Sequence, residues 1–284
     1  MRENLCILLL AKYIQLLRRQ MIPKKIHYVW VGDKPKPQFV LDCIATWKKF
    51  LPDYKLIEWN NESLKSIKNN YTEEAFRNKK WAFVSDYLRL YVLYNEGGIY
   101  LDTDVEITQS LDSFLHLDFF SCYEKGEGNC YYPVTSAVIG AEKRNSIVYD
   151  LLKQYDDIHF ENPNGLDLET NIIKITRYFS KKFNLLPPYN GTKETYLTNN
   201  SIIYPSNYFC TPESDMINFA IHHFSGSWLP SHSRKDKLKI FNKIILSRFI
   251  KLRDTGEPQL TSKEKIVFNL PVSKTKKYVL IIKE

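Results

Sequence analysis

The sequence predicts an α/β fold, in which short buried strands alternate with helices that cover them. Three observations carry that prediction. Residues 25–31 (KIHYVWV) and 54–59 (YKLIEW) are apolar, β-branched or aromatic runs, and between them Phe39, Cys43, Trp47 and Phe50 recur three or four apart, as on a core-facing helix. Residues 80–94 repeat the helical pattern, end at Gly97 and Gly98, and lead directly into the apolar run 99–101. Residues 118–123 and 134–140 (DFFSCY and VTSAVIG) read as further strands.

Taken in order, the first strand runs into Gly32, Asp33 and a proline-rich loop at Pro35 and Pro37. Loops after strands line the ligand crevice of open α/β sheets, so Trp30 can stack a base or ring there, with a core tryptophan as the alternative. Pro52 closes the first helix, and residues 60–68 are polar with a helix expected at 64–68. On the helix at 80–94, Asp86 and Arg89 stand three apart and are surface neighbours. Ions in so apolar a segment are rare unless paired or functional. Helices are expected at 145–155 and 168–181, a loop that can face an acceptor at 187–193, and a strand at 202–209. Residues 234–253 space Phe241, Ile244, Ile245, Phe249 and Leu252 among Lys239, Lys243, Arg248, Lys251 and Arg253, which predicts a basic amphipathic helix. A last apolar run at 278–282 reads as an edge strand.

The chain has 284 residues, 44% hydrophobic and 25% charged, which suits a globular protein with one large domain. Aromatic residues reach 14%, with 19 tyrosines, and the formal charge of +8 favours anionic partners, a nucleotide, a lipid headgroup or nucleic acid, of which nucleic acid is not expected here. The five cysteines are odd in number and lack C-x-x-C spacing, which argues against a disulfide framework or a zinc site and for a reducing, cytoplasmic setting. No apolar run reaches the 18 residues of a spanning helix. Residues 1–20 read as an interfacial helix or as an extension ahead of a start at Met21. The domain expected is 21–233, followed by the basic helix and tail at 234–284.

The chemistry concentrates at Asp102 and Asp104. In an extended strand, residues two apart share a face, so both carboxylates meet at one spot and resist burial unless a cation joins them. Two oxygen donors so placed suit a divalent metal, with a solvated strand end as the plainer alternative. The run 220–228 (AIHHFSGSW) offers a second element of a site. Adjacent histidines on a strand face opposite ways, so one of His222 and His223 points into a given cleft, and neutral imidazole ligates metals.

The ordered set formed by 22–32 (IPKKIHYVWVG), 82–89 (AFVSDYLR) and 97–105 (GGIYLDTDV) resembles the DXD-containing sugar transferases of glycosyltransferase family 32. That group includes yeast-type mannosyltransferases and bacterial polysaccharide enzymes, and is similar to the glucosyltransferase domain of large clostridial toxins. The resemblance spans about 22–228. It implies a GT-A-like mixed sheet flanked by helices, forming one catalytic domain with the basic helical appendage behind it. It also implies a nucleotide-sugar donor, UDP favoured over GDP, and retention of anomeric configuration. By the same likeness Trp30 would stack the nucleobase and Val29 would bond its edge through the backbone. Asp86 and Arg89 would hold the donor sugar, and Tyr100 would sit at the nucleotide. Asp104 would bind Mn²⁺ or Mg²⁺, Asp102 would reach ribose and metal, and His222 would approach the metal. Ser227 and Trp228 would meet the diphosphate; a related family's pattern would select His223 instead of His222.

These expectations describe a metal-dependent retaining hexosyltransferase acting on a saccharide or lipid-linked saccharide in bacterial surface-polysaccharide or capsule assembly, with peripheral membrane contact through the basic helix. A metal-dependent phosphoryl transferase or nuclease built on Asp102 and Asp104, and a non-catalytic nucleotide-sugar binder, are the alternatives.

Overall fold

A computed structural model describes residues 22–125, 131–198 and 200–225 in full, and by backbone alone the strands at 236–240, 243–251, 264–273 and 276–283. The expectations for residues 1–20, Ser227 and Trp228 lie outside the described residues.

The chain opens with β1 (Lys25–Val29), α1 (Gln38–Phe50) and β2 (Lys55–Trp59), the expected β-α-β unit. Two short helices follow, α2 (Asn61–Leu64) and α3 (Asn70–Arg77). Asn60 and Asn69 cap them, each accepting from backbone N–H groups of the first turn. The helix expected at 64–68 is not formed: residues 65–69 are a turn and loop between these two helices. Next come α4 (Trp81–Glu96), β3 (Gly98–Leu101), β4 (Val105–Ile107), β5 (Phe119–Cys122), the hairpin β6 (Glu124–Lys125) and β7 (Tyr131–Tyr132), and β8 (Val138–Ala141). After α5 (Ser146–Lys153) lie a small hairpin, β9 (Glu161–Asn162) with β10 (Gly165–Leu166), and α6 (Asn171–Phe183). The first unit ends with β11 (Thr195–Thr198), β12 (Ser201–Tyr204), α7 (Ser206–Phe209) and β13 (Ala220–His222). The strand expected over 202–209 therefore stops at Tyr204. Pro205 lacks the N–H a ladder needs and stands at the N-cap of α7.

Seven strands form one mixed sheet in the order β11-β12-β5-β8-β3-β1-β2. β1 runs parallel to β2 and β3, and β12 parallel to β5, while β8 is antiparallel to both β3 and β5. The C-terminal ends of β2, β1, β3, β5 and β12 consequently share one edge. Each face carries its own core. Ile26, Tyr28, Ile99, Leu101, Phe120, Val138 and Ile202 face α1 and the fully buried Trp47. Tyr100, Phe119, Ile139 and Ile203 face the helices, where Val84, Leu88, Val148, Ile175 and Phe179 meet them. The alternation of Ile99, Tyr100 and Leu101 between the two cores is the period of two expected of a strand covered on both sides. This is the mixed sheet flanked by helices that the sequence anticipates.

Two glycines let α4 run straight into β3. Gly97 caps the helix at φ +64°, and Gly98 follows at φ +121°, where a Cβ would stand 2.8 Å from the Lys25 carbonyl oxygen.

The chain divides into two compact units, Met1–His223 and Phe224–Glu284. The second is a four-stranded antiparallel sheet, not the basic helix expected over 234–253. β14 (Asp236–Ile240) pairs with β15 (Lys243–Lys251), β15 with β17 (Lys276–Lys283), and β17 with β16 (Glu264–Ser273). Isoleucine at 240, 244, 245 and 250 favours strand, and partners more than 25 residues away decide between two periodicities that the local pattern leaves open. The expected edge strand at 278–282 falls within β17, which has a neighbour on each side.

Candidate active site

Asp102 and Asp104 do not owe their meeting to strand alternation. β3 ends at Leu101, and residues 102–104 form a turn closed by Val105 N–H donating to the Asp102 carbonyl at 3.0 Å. β4 then leaves to pair antiparallel with β13, setting His222 opposite Val105. That pairing brings the far-off histidine to the turn. Ligand atoms of Asp102, Asp104 and His222 lie within 4.8 Å of one another, and the facing His222 Nε2 and Asp104 Oδ1 are 3.5 Å apart. His223 points the other way, its Nε2 standing 3.0 Å from Glu106 Oε2. The two histidines thus diverge as adjacent strand residues should, and His222 is the one at the carboxylates.

Two carboxylates and an imidazole, gathered at the edge of a largely buried turn, are ligand types that a divalent metal ion takes. Burial alone would lower the basicity of His222, but its hydrogen bonds to Asp104 and Cys210 raise it well above the usual imidazole value.

Beside this group sits the pair from α4. Arg89 Nη2 donates to Asp86 Oδ1 at 2.9 Å and to Ser85 Oγ at 3.1 Å, and Nη1 donates to the Ser136 carbonyl at 2.6 Å. Arg89 Nη1 also lies 3.4 Å from Asp102 Oδ1, and its guanidinium sits 4.8 Å from the centre of the Tyr100 ring. Tyr100 donates its hydroxyl to Asp102 at 2.8 Å. Arg89 is therefore held on several sides before any ligand arrives. Burial works against its charge, but Asp102, Tyr100 and Asp86 raise its pKa above the ordinary value. Burial pushes the Asp86 carboxyl up to about 6, Arg89 opposing and Asp102 adding to the shift.

Trp30 leaves the sheet at the same edge. β1 and β3 pair His27 with Tyr100, so Val29 and Asp102 each stand two residues further along neighbouring strands. Val29 is buried, whereas Trp30 is half-buried, donates through Nε1 to the Lys34 carbonyl at 2.9 Å and lies near the Lys36 ammonium.

Two residues here escaped the reading of the sequence. Asn171, buried at the start of α6, faces the Asp86 carboxylate with both side chain and backbone. Glu124, two residues past the end of β5, accepts from Thr135 Oγ1 at 2.9 Å, and burial pushes its carboxyl up to about 7. Cys210, His222 and Asp102 are among the groups that act on it electrostatically. An acid directly after the buried run FFSCY was the available signal.

A family described as "Glycosyltransferase sugar-binding region containing DXD motif" matches residues 37–120. Among known proteins, an uncharacterised glycosyltransferase of Acanthamoeba polyphaga mimivirus is 27% identical over 80% of this chain and 91% of its own length. Inositol phosphoceramide mannosyltransferase 3 of Schizosaccharomyces pombe is 32% identical over 34% of this chain and 28% of its own length. Of solved structures, the PaToxG glycosyltransferase is 19% identical with a TM-score of 0.41, covering 64% of this chain and 78% of that one. A glycosyltransferase involved in glycosylation of the PBCV-1 major capsid is 13% identical at a TM-score of 0.42, covering 72% and 94%. The matched DXD region holds Asp86, Arg89, Asp102 and Asp104; the chain is a glycosyltransferase, similar over that region to the DXD-containing sugar-binding family.

Proposed function

We propose that the protein transfers a hexose from a nucleotide sugar, a UDP-sugar before a GDP-sugar, to a saccharide or lipid-linked saccharide with retention of configuration and dependence on Mn²⁺ or Mg²⁺. The observation that carries this reading is the convergence of Asp102, Asp104 and His222 within 4.8 Å, beside the Arg89 and Asp86 pair.

In this reading Asp102, Asp104 and His222 hold the cation, which when bound supplies positive charge to the diphosphate. Trp30 stacks the base, the Val29 backbone meets the base edge, and Tyr100 sits beside the nucleotide. Asp86 accepts from donor-sugar hydroxyls, and Arg89, its N–H groups engaged by Ser85, Asp86, Ser136 and Asp102, fixes Asp86 in place and lends its positive charge to the sugar-phosphate. By the family resemblance alone, Ser227 and Trp228 are assigned to the diphosphate. When the bond between anomeric carbon and phosphate oxygen breaks, its electron pair stays on the diphosphate, and the charge of Arg89 stabilises that developing negative charge without reorganisation. The acceptor oxygen bonds to the same face of the sugar, and its proton passes to the departing phosphate oxygen.

A relative named for mannosyl transfer to inositol phosphoceramide, matched over 34% of this chain, supports a lipid-linked acceptor; a role in surface polysaccharide assembly is part of the same proposal. Among the described residues no helix is long and apolar enough to cross a membrane. The unpaired, buried Cys43, Cys122 and Cys210 support a cytoplasmic site of action.

A thermal-shift screen of UDP- and GDP-hexoses with and without Mn²⁺, followed by a donor-hydrolysis assay, tests the reading. Metal-dependent stabilisation and sugar release are expected, with the product keeping the donor's anomeric configuration by NMR. Cleavage of DNA or release of inorganic phosphate alone would favour a phosphoryl transferase, and an inverted product would refute same-face attack.

A further inference from the structure

Position on the sheet divides the crevice into two halves. Trp30 follows β1 on one side of Asp102, which follows β3. On the other side, beyond antiparallel β8, the crevice edge is formed by the residues following β5. The nucleotide expected at Trp30 and the cation expected at Asp102 occupy the first half. The second half carries Glu124, and nothing in the donor reading uses it.

Glu124 is ill-suited to a purely structural role. It is partly buried, where lost hydration costs a carboxylate, and among the described residues its hydrogen-bonding partner is Thr135, which occupies Oε2. Oε1 has no partner among them. The adjacent cation, Lys125, pairs instead with Glu213 at 3.1 Å. The hairpin also sets Tyr132 directly opposite Glu124, so the two side chains share a face, and Tyr132 is exposed. A carboxylate oxygen open to a hydroxyl beside an exposed aromatic face is the combination that holds a sugar: one group takes O–H, the other covers the C–H face.

We infer that Glu124 and Tyr132 form the acceptor subsite, Glu124 Oε1 accepting a hydrogen bond from the incoming hydroxyl and Tyr132 stacking on the ring of an acceptor hexose. This rests on the transferase reading above and adds the acceptor's place to it. Glu124 orients the hydroxyl whose oxygen bonds to the anomeric carbon. The proton still leaves with the diphosphate oxygen, so the carboxylate is unchanged at the end of the step. Tyr131 and Gly191 bring the far loop to the same hairpin, since a Cβ at Gly191 would lie 2.1 Å from the Tyr131 ring. The loop at 187–193, expected from the sequence to face an acceptor, therefore packs against the element that carries this subsite.

Donor hydrolysis puts water where the acceptor hydroxyl would stand, so the role of Glu124 can be tested before the acceptor is known. Glu124→Gln keeps the shape and is expected to lower kcat for Mn²⁺-dependent hydrolysis about 30-fold, with donor KM and half-saturating Mn²⁺ each within about threefold. A donor KM or Mn²⁺ requirement that moves together with kcat would make Glu124 a support of the metal site and overturn the assignment, as would an unchanged kcat. For Tyr132, saturation-transfer NMR with methyl α- and β-hexosides, in the presence of UDP and Mn²⁺, is expected to show binding to the wild type that Tyr132→Ala loses. Equal signals in both, or none in the wild type, would overturn the stacking. A wild type that hydrolyses no UDP- or GDP-hexose refutes the transferase reading itself, and the subsite with it; turnover untouched by Glu124→Gln refutes only the subsite.

Discussion

In the proposed reading, Arg89 is the residue on which donor binding turns. It is almost completely buried, and its fork is divided among Ser85, Asp86, Ser136 and Asp102, so its orientation is set by the protein. Lysine keeps the charge but not the planar fork, and Arg89→Lys should weaken UDP-sugar binding about 10- to 100-fold by calorimetry while the protein stays folded. Asp86 makes a second test, through pH. Its folded pKa, about 6, lies above the ordinary 3.8, so the folded state holds the proton longer than the unfolded one. Its contribution to stability is full below about pH 4 and is lost as pH rises through about 6, an amount of about 3 kcal/mol. Urea melts across that window should show the fall in the wild type and a flatter curve in Asp86→Asn. Both residues were legible in the sequence, because charges three apart in an apolar helix violate its pattern. Glu124 and Asn171 were not, because their meaning comes from neighbours such as Thr135 and Asp86 that are distant in the chain or on another element.

At the scale of elements, the unit that positions the site is α4, its two glycines and β3. Local signals specify it: an amphipathic period, a left-handed cap and an apolar run. Its boundaries accordingly came out close to those read from sequence. Gly98 has little freedom to change, being at φ +121° with the Lys25 carbonyl 2.8 Å from where a Cβ would stand. Gly98→Ala should lower stability by roughly 3 kcal/mol, from backbone strain and overpacking together, as read by thermal melting. An unchanged melt would mean that the close junction of α4 and β3 is not needed. β4 and β13 illustrate the opposite case. Each has three residues and no period to read, and their pairing exists because the chain returns after more than 100 residues. That pairing replaces strand alternation as the reason the carboxylates and His222 meet.

At the scale of the first unit, β1 and β3 end at a common edge with Trp30 and Asp102, while α4 supplies Asp86 and Arg89 and the β4–β13 pairing supplies His222. In the proposed reading these are the base, metal and sugar-phosphate positions, with the acceptor position after β5. The α/β class and this edge could be read from the alternation of strands and helices, whereas the antiparallel place of β8 could not, since strand direction is fixed by long-range pairing. The same limitation explains the second unit, where a basic apolar stretch that fits a helix is paired into a sheet. The account stands or falls on the cation held by Asp102, Asp104 and His222. Mn²⁺ titration followed by electron paramagnetic resonance, in the presence of UDP, measures it directly. Wild-type protein should bind one Mn²⁺ per chain, and Asp104→Ala should weaken binding at least about tenfold with an unchanged thermal melt. Equal Mn²⁺ affinity in the two proteins would contradict the account.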